Sequence, residues 1–139
     1  MVVKEDFMDL RKNRHSVYKL TYHIVLVTKY RRKCINDEIF EYMKNHIERI
    51  VTDWNGLIIE MNHDLDHIHM LLELPPQQAP SKAVCSLKTV TSRALRKEFP
   101  DYIKKFYWKD SFWSDSYLVL TVGGATLDVV KEYIENQGK

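Results

Sequence analysis

The segment from His67 to Leu74 constrains the fold of this chain more than any other. Side chains alternate across a β-strand, so every second residue faces the same way. One face of the segment is purely apolar and consists of Ile68, Met70, Leu72 and Leu74. The other face carries two histidines, a leucine and a glutamate. This pattern predicts a strand whose apolar face lies under helices, while its histidines point to an open face of the sheet.

The remaining elements are predicted from β-rich runs and from apolar residues at three- and four-residue steps. Strands are predicted over residues 22–28, 57–61, 67–74 and 117–122. Helices are predicted over about residues 37–53, 81–99 and 126–137, with capping by Asn36 or Asp37, by Ser81 and by Thr126. The polar and aromatic residues 101–111 are predicted to form a loop.

The resulting order, β-α-β-β-α-β-α, predicts an α+β fold. Its first six elements have the split βαβ, ferredoxin-like order, in which two helices cover one face of a four-stranded antiparallel sheet. A chain of this length fits one domain, so residues 1–139 are expected to form a single domain. The short last helix needs a surface to rest on, and the open face of the sheet is the obvious one.

His67 and His69 share the open face and lie close enough along the strand to reach one cation. Asp66 directly precedes them and could orient a histidine through a hydrogen bond. An HxH pair on a half-exposed strand is often only polar surface, so the pair alone is a weak indication of metal binding.

Tyr133 and Gln137 lie four residues apart, on one face of the last predicted helix. Each is ordinary for a surface helix. If the helix docks on the open face, however, a hydroxyl, a carboxamide and two imidazoles converge. Two nitrogens and one amide oxygen leave positions on a cation for the oxygens of a phosphodiester. The tyrosine oxygen could then attack phosphorus and hold DNA as a phosphotyrosine.

Basic residues are clustered although the net charge is only +2. One cluster is Lys29 with residues 31–33, and another extends from Lys88 to Lys105 and leads into the aromatic residues 106–113. Lys and Arg bind phosphates and aromatic rings stack on bases, so this combination suits single-stranded nucleic acid. Solvated basic faces beside core aromatics explain the same pattern.

No apolar run approaches the roughly 20 residues that a membrane-spanning helix needs. The N-terminal residues also lack the apolar core of a signal peptide. A cytoplasmic protein with no membrane partner is expected. Cys34 and Cys85 stand in no paired motif and are expected to be reduced thiols.

The sequence resembles the single-tyrosine HUH transposases, the TnpA type carried by insertion sequences of the "two-hundred" type. The resemblance covers nearly the whole chain and combines the HIH pair with the Y-x-x-x-Q spacing of the last helix. The segments that carry it are YHIVLVTKYRRK, DHIHMLLELPP, SLKTVTSRALRKEF, FWSDSYLVLTVG and VVKEYIENQ.

The resemblance implies a role for each residue of the predicted site. His67, His69 and Gln137 match the ligands of a divalent metal, Mg²⁺ or Mn²⁺. Tyr133 matches the nucleophile, which becomes linked to a DNA 5′-phosphate and frees a 3′-hydroxyl.

The resemblance also implies partners. The expected substrate is single-stranded DNA with imperfect hairpins near the ends of the element. The expected assembly is a homodimer whose sheets join edge to edge, with the tyrosine helix of one subunit able to complete the histidine site of the other. Gly123-Gly124 would be the hinge of that helix. The residues expected to contact DNA are Lys29, Arg31, Arg32, Lys88 and Arg93.

Two other interpretations remain open at this point. The first is a ferredoxin-like module that binds single-stranded nucleic acid on its open sheet face without cleaving it. The second is a domesticated relative that nicks hairpins for the host. The binding module would not need Tyr133, Gln137 and two histidines together, whereas the nickase would need all of them.

Overall fold

A four-stranded antiparallel sheet with two long helices forms the main body of the protein. The computed structural model describes residues 11–12 and 17–122. The strands are β1 (Arg11–Lys12), β2 (Val17–Tyr18), β3 (Thr21–Thr28), β4 (Leu57–His63), β5 (His67–Glu73) and β6 (Trp113–Val122). The helices are α1 (Asp37–Asp53), α2 (Pro80–Glu98) and the short α3 (Pro100–Lys104), and a 3₁₀ turn occupies Lys29–Arg31.

The sheet has the strand order β4-β5-β3-β6, with every neighbouring pair antiparallel. The two central strands are therefore the one that begins the split βαβ unit and the one that carries the histidines. This is the ferredoxin-like order, and the predicted α+β fold is confirmed. β1 and β2 form a separate two-stranded ribbon that the sequence pattern did not predict.

The alternation predicted for β5 is confirmed by its burial. Ile68, Met70 and Leu72 are fully buried. His67, His69 and Leu71, which alternate with them, are only partly buried. Helices α1 and α2 cover the apolar face with Ile39, Met43, Ile47, Val51, Ala83, Val84, Leu87 and Leu95. The core therefore lies between the helices and one side of the sheet, which leaves the other side for function.

The helix starts follow two different rules. Asn36 caps α1, because its side-chain oxygen accepts a hydrogen bond from the backbone N–H of Ile39 at 2.8 Å. The predicted cap of α2 by Ser81 is wrong. The helix begins one residue earlier at Pro80, after Ala79, which makes no side-chain capping bond. Proline at the start of a helix needs no cap for its own nitrogen because it lacks an N–H.

Two predicted boundaries between residues 99 and 117 were also wrong. The expected loop contains α3, and β6 begins at Trp113 instead of Tyr117. The early start of β6 is fixed by a buried contact. The indole Nε1 of Trp113 donates to Oγ1 of Thr91 at 2.9 Å, and that hydroxyl donates in turn to the carbonyl of Leu87 at 2.7 Å. This chain of bonds ties β6 to the middle of α2.

Within the described ranges, no helix has both the length and the apolar character needed to cross a membrane. Cys34 is a buried free thiol and Cys85 an exposed one. Both match the expectation of unpaired cysteines.

Replacing Thr91 by valine should destabilise the protein by about 1–3 kcal/mol, because the buried indole N–H of Trp113 would lose its acceptor. Thr91→Ser keeps the hydroxyl and should cost less. Urea unfolding monitored by circular dichroism measures both. Equal losses in the two variants would contradict a specific contribution of this hydrogen bond to stability.

Candidate metal and nucleic-acid site

The open face of the sheet carries the predicted histidines. His67 pairs with Val27 and His69 with Val25 across β3, so both imidazoles lie on the side away from α1 and α2. Asn62 of β4 is the register partner of His69 on the other side. Both histidines are half-buried, which leaves them accessible from the open face.

Asp66 holds the ring of His67. The Nδ1–H of His67 donates to Oδ1 of Asp66 at 2.8 Å, and the second carboxylate oxygen lies 3.3 Å from Nε of Arg31. The hydrogen bond from His67 is the largest cause that lowers the pKa of Asp66, and the charge of Arg31 adds to it. A proton fixed on Nδ1 leaves Nε2 of His67 as the ring atom with a free lone pair, which is the state that metal binding requires.

His69 makes a contact that the sequence analysis did not anticipate. Its Nε2 lies 2.5 Å from Nε2 of His23 on β3, with the ring centroids 4.1 Å apart. The two rings are placed to form a hydrogen bond between these nitrogens. Burial lowers the pKa of His69, and positive charge on His23 and then on His67 lowers it further. His23 lies on the open face because it alternates along β3 with the buried Ile24 and Leu26. The register of β3 against β5 then brings it close to His69.

The described residues include two of the three expected metal ligands, His67 and His69. Across residues 11–12 and 17–122, no three His, Cys, Asp or Glu side chains converge closely enough to hold a metal ion by themselves. The two imidazoles and the carboxylate of Asp66 are what this part of the chain offers. Tyr133, Gln137 and the proposed hinge Gly123-Gly124 lie outside the described residues, as does the expected docking of the last helix.

The basic residues expected at DNA occupy three separate places. Lys88 and Arg93 line a groove of about 730 Å³ between α2 and the start of β6. Lys29 and Arg32 line a second cavity of about 350 Å³. Arg31 lies between this cavity and the histidines, on Asp66.

Lys88 is partly engaged within the protein. Its Nζ donates to the carbonyl of Ser114 at 2.6 Å and lies 5.8 Å from the ring centroid of Tyr117. Arg93 lines the same groove from the exposed side of α2. Arg96 was not among the residues predicted to contact DNA. Its guanidinium donates to the carbonyls of Lys109 and Ser111. Arg96 therefore fixes the loop that closes the groove.

Comparison with known proteins decides the family. Residues 16–137 match the family model described as "Transposase IS200 like". The chain belongs to this family. As an IS200-like transposase it is a DNA-processing enzyme of insertion sequences, and the resemblance to TnpA-type transposases is confirmed.

Other IS200-like transposases match nearly end to end. The ISDra2 transposase TnpA of Deinococcus radiodurans is 35% identical over 131 residues, which is 94% of this chain and 92% of the relative. The transposase for insertion sequence element IS200 of Salmonella typhimurium is 34% identical over 129 residues, 93% of this chain and 84% of the relative.

Solved structures agree with the IS200-like assignment. The crystal structure of a candidate transposase from Deinococcus radiodurans R1 superposes with a TM-score of 0.73 at 35% identity, covering 91% of this chain and 97% of the other. A REP-associated tyrosine transposase, solved with a REP hairpin, superposes with a TM-score of 0.59 at 12% identity, covering 90% and 68%. The second likeness shows the shared fold.

The imidazole of His69 should titrate below the ordinary histidine value of about 6.5 in the metal-free protein. Burial and the electrostatic repulsion from His23 and His67 both disfavour the protonated ring. His23→Ala should raise the midpoint, because it removes one neighbour and exposes the ring to water. NMR titration of the histidine ring signals measures both, and His46→Ala on α1 is the control. A midpoint at or above 6.5 in the parent protein would contradict this.

The lowered pKa of His69 also determines how the stability of the fold changes with pH. Because the folded pKa of His69 lies below its unfolded value, the unfolded chain takes up the proton first as the pH falls. The contribution of this group is therefore complete above about pH 6.5 and is lost as the pH falls through the folded pKa.

Proposed function

We propose that this IS200-like transposase cleaves and rejoins single-stranded DNA at hairpin-bearing ends of an insertion sequence, in a metal-dependent reaction that passes through a 5′-phosphotyrosine. The observation that carries the proposal is the state of His67. Its Nδ1 is held by Asp66 at 2.8 Å on the open face of the sheet, so Nε2 is ready to bind a cation. An imidazole that served only as polar surface would not need a carboxylate to fix its tautomer.

In this proposal a divalent metal, Mg²⁺ or Mn²⁺, is held by His67, His69 and Gln137. When bound, such a cation polarises the scissile phosphate and offsets the negative charge that builds on it. The donor chemistry fits, since two imidazoles and one carboxamide leave positions for substrate oxygens. A cation held by Nε2 of His69 would replace the contact of that nitrogen with His23, and His23 would keep the proton of their hydrogen bond.

Tyr133 is proposed as the nucleophile. Its oxygen forms a bond to phosphorus while the bond from phosphorus to the 3′-oxygen breaks. The phenol loses its proton and the departing 3′-oxygen gains one, so a 3′-hydroxyl is released. The 5′-phosphotyrosine conserves the energy of the broken bond, and attack by a DNA hydroxyl reverses the step and joins strands.

Several described features support DNA as the partner. The groove between α2 and β6 is lined by Lys88, Arg93, Arg96 and Lys97. Such a groove suits a phosphate backbone, to which Lys and Arg bind by releasing counterions. The REP-associated tyrosine transposase of similar fold was solved with a hairpin. We extend that class of substrate to this chain.

The proposed assembly is a homodimer with shared active sites. Among the described strands of the sheet, β4 and β6 each pair on one side only. Either edge therefore offers backbone N–H and C=O groups to a second copy. A shared site would place Tyr133 of one subunit at the histidines of the other.

Incubation with hairpin-bearing single-stranded DNA and Mn²⁺ should give a protein–DNA adduct that survives a denaturing gel. Tyr133→Phe should abolish the adduct, because phenylalanine has no oxygen to attack phosphorus. His67→Ala should also abolish it while binding of the same DNA is retained. An adduct that persists in Tyr133→Phe would place the nucleophile elsewhere. No adduct with the ends of the element's own DNA would refute the cleavage reaction.

Asp66→Ala should weaken Mn²⁺ binding about 10- to 100-fold, since an unheld His67 ring no longer presents Nε2 in one tautomer. Asp66→Asn should lose less, because its carboxamide oxygen can still accept the hydrogen bond. Asp53→Ala, at the far end of α1, removes one carboxylate as a matched control. Titration calorimetry or Mn²⁺ electron paramagnetic resonance measures affinity without any DNA. Equal losses of Mn²⁺ affinity in Asp66→Ala and Asp53→Ala would show a general effect of charge, and would contradict the role of Asp66 in orienting His67.

A further inference from the structure

The turn after β3 holds a backbone conformation that its residues disfavour. Tyr30 has φ 58° and ψ 17°, and Arg31 has φ 53°, which is the left-handed region where a Cβ atom is crowded. Residues held in this way cluster at functional sites and persist because their surroundings fix them. Here the N–H of Lys29 donates to the carbonyl of Phe112 at 2.8 Å, and the hydroxyl of Tyr107 donates to the carbonyl of Lys29 at 2.7 Å.

The opposite wall is the loop over residues 106–111. Arg96 holds this loop from α2 by donating to the carbonyl of Lys109 at 2.6 Å and to that of Ser111. The N–H of Ser111 also donates to the carbonyl of Lys109 at 2.7 Å. Both backbones are therefore anchored, and a cavity of about 350 Å³ lies between them. Such a volume is within the range of small-molecule sites, about 300–1,000 Å³.

Two aromatic side chains on this cavity are left in water. Trp108 is 97% exposed and Tyr30 is 76% exposed, whereas the neighbouring Tyr107 and Phe112 are buried in the core. The exposed rings of Tyr30 and Trp108 therefore contribute little to the packing of the core. Two exposed rings beside one cavity are available to stack on a flat ligand.

The charges around the rings have one sign. Lys29, Arg32 and Lys109 line the cavity, and none of the described residues that line it is acidic. The Nζ of Lys29 lies 5.7 Å and the guanidinium carbon of Arg32 lies 5.8 Å from the ring centroid of Tyr30. The ligand should therefore combine a flat π-face with adjacent negative charge.

We propose that Tyr30 and Trp108 form a clamp for one unpaired nucleobase, with the flanking phosphates bound by Lys29, Arg32 and Lys109. The clamp rests on the proposed function in taking single-stranded DNA as the ligand. A base in a duplex already stacks on both neighbours and has no face to offer, so the clamp selects unpaired nucleotides. It deepens the earlier expectation for Lys29 and Arg32, which concerned phosphates alone.

The clamp lies next to the residues that hold His67. Arg31 directly follows Tyr30, and its Nε lies 3.3 Å from Asp66, which holds His67. The N–H of Thr28, at the start of the same turn, donates to the carbonyl of Asp66 at 2.9 Å. A base held on Tyr30 therefore belongs to a strand that lies at the histidine end of the sheet. The clamp sets where that strand is held relative to His67.

The test measures binding without cleavage, using Tyr133→Phe protein with EDTA. The probe is fluorescein-labelled oligothymidine, compared by fluorescence anisotropy with the same oligomer made abasic and with a duplex. Trp108→Ala should weaken binding of oligothymidine about 5- to 150-fold, the effect of losing one base–aromatic stack. Trp108→Phe should recover most of that loss. The abasic oligomer should bind weakly and should not respond to Trp108→Ala.

Leu57→Ala is the matched control, since it removes an exposed apolar side chain at the end of the sheet away from His67. Unchanged thermal midpoints show that each variant folds, as expected for side chains outside the core. Equal binding of abasic and natural oligomers, or equal losses in Trp108→Ala and Trp108→Phe, would overturn the clamp. Duplex binding as tight as single-strand binding would overturn it too. The proposed cleavage can fail separately, since its readout is the adduct formed by the parent protein with metal.

Discussion

The one-sided burial of β5 is the constraint on which the rest of the structure depends. Ile68, Met70 and Leu72 are buried under α1 and α2, and this fixes His67 and His69 on the opposite side. Because the side-chain period of a strand is two, a slip of one residue would place both imidazoles in the core. The hydrophobic effect therefore positions the polar site, because burying one face of β5 places the histidines on the opposite face of the sheet.

The sequence predicted those features that depend on residues close together in the chain, and it missed those that depend on contacts between distant residues. Alternation along β5 and the cap of α1 depend on neighbours a few residues away. The alternation was predicted, and the cap was narrowed to Asn36 or Asp37, of which Asn36 is the cap. The contact of His23 with His69 spans 46 positions and depends on the register of two strands. The start of β6 at Trp113 depends on an acceptor on α2 that is 22 positions away. No periodicity in one segment contains such information.

The basic residues show the same division. Their charge pattern was visible in the sequence, but their partners were not. Arg31 is engaged with Asp66 and Lys88 with Ser114, whereas Arg32 lines a cavity beside bare aromatic rings. Equal charges thus serve different purposes: one orients a carboxylate, one fixes a strand, and one faces the solvent where a phosphate can approach. Family membership shows that the protein processes DNA. The contacts of these basic residues suggest which of them are free to bind DNA and which stabilise the protein itself.

The contact between the Nε2 atoms of His23 and His69 also bears on the proposed metal site. A histidine prepared for a cation presents a bare lone pair on a half-buried surface, which is costly when nothing binds it. Here the neighbouring ring satisfies that lone pair within the protein itself. In the proposed function, a cation would replace His23 as the partner of His69. The lone pair of His69 would then have a partner both before and after the cation binds.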